Sequence, residues 1–249
     1  GGSVTRDQNY LIITAANSTY GNELYIKDLS KPNAPIKQLV NNFDSSNDIL
    51  DSEGSKLYIV TDKNAPNQKI VVADANTGTP DTWTDLIPET NNVLNASTGS
   101  GYIFFFFIKD AVTVIQQYDY NGKLVREVAL PGVGSAGGFG GEKDEEVLYY
   151  SFTNYIVAGS IYQYDPKTGK STIYYQPKID FNSDNYESKQ VFYTSKDGTK
   201  VPMIITHKKG LKLDGKNPTM LYGYGGFNVS LTPSFSVSNA VWLENGGIY

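Results

Sequence analysis

The chain has no cysteine and a single histidine, His207. Without cysteine it cannot build a disulfide framework, a thiolate metal site or a cysteine nucleophile. The compartment stays open, because a cysteine-free chain is viable under reducing and oxidising conditions alike. With one imidazole, neither a second histidine ligand nor a nucleophile partnered to His207 can be nominated, so His207 is read as structural and no metal or cofactor is expected. Basic residues are also scarce, 21 against 26 acidic for a net charge of -5, and they form no cluster able to neutralise a run of phosphates. Nucleic acid is therefore not an expected partner. Long apolar runs are missing too: the longest, Tyr102 to Ile108, falls far short of the ~20 residues of a membrane helix. It reads as a strand, and no membrane partner is expected.

What the chain does have is a repeat. Asp28, Asp74, Asp119 and Asp165 lie 46, 45 and 46 residues apart, each four positions after a large aliphatic residue, Leu24, Ile70, Ile115 or Ile161. In the last three copies a turn glycine follows (Gly78, Gly122, Gly169), which marks a hairpin connection. One strand-like run precedes each aspartate (Tyr10 to Thr14, Leu57 to Val60, Tyr102 to Ile108, Val147 to Tyr150), and another follows it (Pro35 to Val40, Trp83 to Ile87, Leu124 to Val128, Ser171 to Tyr175). With a weaker innermost strand, each unit has four. A period of this length made of short strands points to propeller blades rather than a helical solenoid.

The repeat stops near Gln176, and a polar stretch from Asp180 to Tyr186 leads into a different pattern. The boundary is placed here: residues 1–184 form a partial β-propeller of about four four-stranded blades, and residues 185–249 a second region. In that region an Asp197-Gly198 turn joins two strands into a hairpin. A short strand, Pro218 to Leu221, then runs into Tyr222-Gly-Tyr224-Gly225-Gly226. Three glycines in five positions permit positive φ and close backbone approach, which makes this turn a site candidate. Pro233 to Glu244 is expected to be a helix stopped at Asn245-Gly246, with another strand starting at Gly247. Hairpin, strand, glycine-rich turn, helix and strand is how an α/β-hydrolase sheet begins, and in that fold the loop after the third strand supplies part of the oxyanion hole. The fold class is thus mainly β, a partial propeller followed by the N-terminal part of an α/β-hydrolase domain.

Several other motifs are decoys. Gly132-Val-Gly134-Ser-Ala-Gly137 matches a dinucleotide fingerprint in letters but leads into no helix. Ser135 in the same stretch has Val133 where a nucleophile elbow needs glycine, so the segment is read as an inter-blade turn. Asp180-Phe-Asn182-Ser-Asp184 starts like a calcium loop but carries Asn185 for the required glycine and Val191 for the glutamate, and is read as a solvated linker. The glycosylation-type triplets at Asn17, Asn95 and Asn228 are common by chance.

Three words carry a family resemblance: Tyr193-Thr-Ser-Lys-Asp-Gly-Thr-Lys-Val-Pro-Met203, His207-Lys-Lys-Gly-Leu-Lys-Leu-Asp-Gly215, and Leu221-Tyr-Gly-Tyr-Gly-Gly-Phe-Asn-Val-Ser-Leu-Thr-Pro-Ser-Phe-Ser236. With them the chain resembles the prolyl oligopeptidases, serine endopeptidases that cleave short peptides after proline. Gly226-Phe227-Asn228 and Thr232-Pro233 fit this branch better than the relatives that cleave after basic residues. The resemblance implies a seven-bladed propeller covering an α/β-hydrolase domain, of which this chain holds about four blades and the hydrolase start. It implies that Tyr224 donates its hydroxyl to the oxyanion, that Phe227 lines the pocket for the substrate proline ring, that the partners are short proline-containing peptides, and that the parent is a monomer. A periplasmic home suits the family slightly better than a cytoplasmic one. The family's serine elbow, aspartate and histidine do not occur here, and the chain opens on Gly1-Gly-Ser-Val4 and closes on Asn245-Gly-Gly-Ile-Tyr249. The chain is accordingly expected to be an internal fragment, inactive alone. A reading from another class is a non-catalytic propeller module that binds peptides or proteins.

Overall fold

The computed structural model describes residues 1–226 and 229–249. Four sheets of four strands follow one another along the chain, each with its strands hydrogen-bonded in sequence order. The first holds β1 (Gly2–Val4), β2 (Tyr10–Ala15), β3 (Glu23–Asp28) and β4 (Lys37–Val40), and the second β5 (Asn47–Glu53), β6 (Lys56–Thr61), β7 (Lys69–Asp74) and β8 (Thr84–Ile87). The third is built from β9 (Asn95–Gly99), β10 (Tyr102–Lys109), β11 (Val112–Tyr118) and β12 (Leu124–Glu127), and the fourth from β13 (Ser135–Gly138), β14 (Leu148–Thr153), β15 (Ser160–Asp165) and β16 (Lys170–Tyr175). By contacts the chain divides into two compact units, residues 1–98 with 118–124, and residues 99–117 with 125–249.

The repeated aspartates owe their spacing to one local device. Each closes or just follows the third strand of its sheet and folds its carboxylate over the next turn. Asp28 Oδ1 accepts from the Ser30 N–H (3.0 Å), Asp74 Oδ1 from those of Asn76 and Thr77 (2.8 and 3.1 Å), Asp119 Oδ1 from Asn121 and Lys123 (2.9 Å each), and Asp165 Oδ1 from Lys167 and Thr168 (2.8 and 3.1 Å). A short side-chain acceptor is what such a turn needs to satisfy amides outside the strand ladder.

Each unit has its own core, assembled by period-two alternation along the strands. In the first, Tyr10 and Ile12, Leu24 and Ile26, Leu57 and Ile59, and Val71 and Ala73 pack together. The second centres on Phe139, whose ring stacks on Tyr150 (centroids 4.6 Å apart) and Phe104 (4.9 Å) and meets the Tyr164 edge at 5.1 Å. Phe139 sits at φ 61°, a conformation bulky residues avoid; the burial of its ring in this cluster is what offsets the cost. The aliphatic position four before each aspartate is buried at Leu24, Ile70 and Ile115, whereas Ile161 is 38% exposed. Ile161 pairs with Tyr175 on the face of the fourth sheet turned away from the Phe139 cluster.

Two expectations change. The glycine-rich segment expected to be an inter-blade turn contains β13, the first strand of the fourth sheet, at one of its edges. Gly138 serves close approach: a Cβ there would lie 2.7 Å from the Tyr149 carbonyl oxygen and 2.8 Å from the Tyr150 Cα, whereas space is open around Gly137. The helix expected from Pro233 begins later, as α1 (Val237–Glu244). Residues 233–236 lie outside it, with the Pro233 carbonyl bonded to Ser135 and the Phe235 amide to Thr153. The stop behaves as expected, with Gly246 at φ 82°.

β17 (Tyr186–Thr194) and β18 (Lys200–Lys208) form the expected hairpin, with Gly198 at φ 86° in its turn. A third expectation changes beside this hairpin: the strands expected at Pro218 to Leu221 and from Gly247 come down to a single bridge, tied to β18 and to each other by main-chain bonds. Thr206 and Tyr249 exchange N–H donors at 2.7 and 2.9 Å, the Ile248 amide donates to the Pro218 carbonyl (2.8 Å), and the Met220 amide to that of Ile248 (2.8 Å). Thr219 and Ile248 are parallel, and α1 lies between them in sequence. This is the crossover that a parallel pair requires.

Candidate active site

Thr219 makes a single parallel bridge to Ile248, and the chain runs from it into residues 221–226. Tyr224 is 49% exposed and borders a cavity of about 920 Å³ whose wall also includes Tyr155, Tyr193, Met203, Met220 and Leu231. Its ring lies against Gly226: a Cβ built there would sit 3.1 Å from the phenol oxygen and 3.2 Å from Cζ. Glycine at 226 therefore leaves room for the phenol. The positive φ expected of this turn is not found at Gly223, Gly225 or Gly226, and space is open around the first two; nothing in the structure requires glycine at 223 or 225. Phe227 lies outside the described residues.

Around Tyr224 the wall is mostly apolar, with phenols and the side chains of Asn217, Thr219 and Ser230 as its polar groups. Burial, with the neighbouring Tyr249 adding to it, pushes the Tyr155 hydroxyl above the ordinary tyrosine range. Tyr155 is thus a neutral phenol, its ring 5.0 Å from that of Tyr249. Such a wall presents phenol O–H donors, the kind of group that suits a developing negative charge. His207 is not part of it. Only 4% exposed, its ring places Nδ1 2.9 Å from the Lys208 carbonyl and Nε2 3.7 Å from Glu187 Oε1, the residue paired with it across β17 and β18. Ser135, the near match to an elbow serine, donates to the Pro233 carbonyl at 2.6 Å. The places of Tyr155 and Tyr193 in the cavity wall beside Tyr224 were not readable from local pattern, because the residues they meet there lie tens of positions apart.

Four-stranded sheets repeated in series, each turned by the same aspartate device, define a β-propeller protein. Residues 1–177 match the family model described as the N-terminal β-propeller domain of prolyl oligopeptidase. The chain belongs to the prolyl oligopeptidase family. Over all 249 residues it is 56% identical to a prolyl endopeptidase of Elizabethkingia meningoseptica, covering 35% of that protein. Among solved structures, it superposes in full on a prolyl endopeptidase from a study of two such enzymes (TM-score 0.83, 35% identity, 36% of that chain). It does so too on prolyl oligopeptidase B from Galerina marginata (TM-score 0.89, 29% identity, 37% of that chain). The chain thus spans about a third of the length of the relatives it matches.

Proposed function

We propose that this chain is the part of a serine endopeptidase that supplies four propeller blades, residues 1–184, and the beginning of an α/β-hydrolase domain, residues 185–249. The whole protein would hydrolyse short peptides on the carboxyl side of proline. In this reading the Tyr224 hydroxyl donates to the oxyanion of the tetrahedral intermediate and Phe227 lines the pocket for the proline ring. The serine, aspartate and catalytic histidine would come from sequence outside Gly1–Tyr249. Support for the hydrolase start comes from the parallel pairing of Thr219 with Ile248 around α1. Support for the substrate comes from the 56% identity to a prolyl endopeptidase.

The observation that carries the chemistry is the position of Tyr224, half-exposed on a largely apolar cavity just after the Thr219 bridge. A serine alkoxide attacking a peptide carbonyl moves negative charge onto the carbonyl oxygen. A phenol O–H already held nearby answers that charge without reorganising. Because that bond strengthens in the transition state, its loss falls on kcat rather than on peptide binding. Tyr224→Phe in the full-length protein is expected to lower kcat roughly 100- to 1000-fold with KM little changed. An unchanged kcat would remove Tyr224 from the site.

A further inference from the structure

Between the turn that carries Tyr224 and the first residue of α1, residues 229–236 form no strand or helix. Such a stretch has to find partners for its backbone groups outside any ladder. Two of them are taken by side chains from the fourth sheet. The Ser135 hydroxyl donates to the Pro233 carbonyl at 2.6 Å, and the Phe235 N–H donates to Thr153 Oγ1 at 3.1 Å. Ser135 opens β13 and Thr153 ends β14, and the two face each other as direct register partners. Their hydroxyls therefore act as one two-point clamp. The Thr153 hydroxyl hydrogen is committed to the Val157 carbonyl (3.0 Å), which turns its acceptor side to Phe235. Pro233 is buried and has no N–H, so its carbonyl is the one backbone group there that needs a partner, and Ser135 provides it.

We infer that Ser135 and Thr153 are positioning residues for the Tyr224 hydroxyl. The loop leaving Tyr224 is held near its start by the Thr219 pairing and by the Val229 N–H on the Gly226 carbonyl (3.1 Å). Its far end is held by the clamp. Val229, Ser230 and Leu231, between the two anchors, line the same cavity as Tyr224. With both ends fixed, the loop has fewer conformations in which the phenol is misaimed, and the value of an oxyanion donor depends on such alignment in advance. The inference rests on Tyr224 being that donor.

The test is a kinetic cycle in the full-length peptidase, comparing Ser135→Ala/Thr153→Val, Tyr224→Phe and the three changes together. Removing the clamp is expected to lower kcat about 10- to 100-fold with KM nearly unchanged. In the Tyr224→Phe background it should cost nothing further, because the group it aims is already gone. Thr153→Ser, which keeps the hydroxyl, should recover most of the loss seen with Thr153→Val. Amide exchange gives a readout independent of catalysis: the Phe235 N–H should lose protection in Thr153→Val while amides in β14 and β15 keep theirs. A clamp effect that multiplies undiminished with Tyr224→Phe, or a kcat unmoved by losing the clamp, overturns the inference while leaving Tyr224 as donor. If Tyr224→Phe itself leaves kcat unchanged, the oxyanion reading falls and the positioning role falls with it.

Discussion

At the tip of the β17–β18 hairpin the Ser195 hydroxyl and the Thr199 amide both donate to the Asp197 carboxylate, with the Thr199 bond at 3.0 Å. The Ser195 bond leads in drawing that carboxyl down to about 2. A folded value below the unfolded one means that the turn is supported above the unfolded pKa of about 4 and loses that support as the pH falls through about 2. A carbon-detected NMR titration should place the Asp197 midpoint near the lower figure, and Ser195→Ala should move it up; a wild-type midpoint near 4 would contradict the bond. Gly226 offers a second test at this scale. A methyl group there would press on the Tyr224 phenol from 3.1 Å, so the ring must shift by a few tenths of an ångström. Gly226→Ala is expected to lower kcat of the full-length protein roughly tenfold with little change in melting temperature, and an unaltered kcat would show that the phenol's resting place is not its working place. The cluster of glycines around Tyr224 was legible in the sequence, but their separate roles were not: crowding at Gly226 is a property of where one ring lies.

Among elements, the repeated turn is worth less than the aromatic core it connects, and unfolding measurements can separate the two. Asp74 receives the Asn76 and Thr77 amides and, at 2.7 Å, the Ser55 hydroxyl, so Asp74→Ala should cost about 1–2 kcal/mol in urea unfolding. Phe139→Ala removes a fully buried ring with close contacts to three others and should cost about 3–5 kcal/mol. The reverse ranking would mean that the turns, not the rings, hold the sheets. Strands β2, β6, β10 and β14, and the aspartate-ended strands after them, were legible because alternation and turn residues are local. β13 was not, since its Ser135-Ala-Gly-Gly138 sequence has no apolar alternation and is a strand through its pairing with β14, which Gly138 meets closely at Tyr149 and Tyr150. The late start of α1 was hidden for the same kind of reason: the bonds that hold Pro233 and Phe235 come from residues 98 and 82 positions away.

For the whole molecule, family membership was legible because the words around Tyr193 to Met203 and Leu221 to Ser236 are long and specific, and the propeller because its period recurs four times. The cavity beside Tyr224 was not, because its wall gathers residues from Ala111 to Tyr249. In the proposed reading the triad lies outside this chain, whose one imidazole is buried against Glu187 and the Lys208 carbonyl, whereas a Ser-His-Asp triad takes a free imidazole as its base. The 249-residue chain is therefore expected to hydrolyse no proline-containing reporter peptide, and turnover by clean protein would contradict that. The central claim, that the Tyr224 hydroxyl answers the charge on the tetrahedral intermediate, is tested most directly by binding. In the full-length protein, a peptide aldehyde ending in a proline residue, whose adduct with the serine carries the oxyanion, should bind Tyr224→Phe at least about 100-fold more weakly than wild type. The matching uncharged peptide amide should bind both equally. Equal affinity of the aldehyde for the two proteins, or an equal loss for aldehyde and amide, would contradict the account.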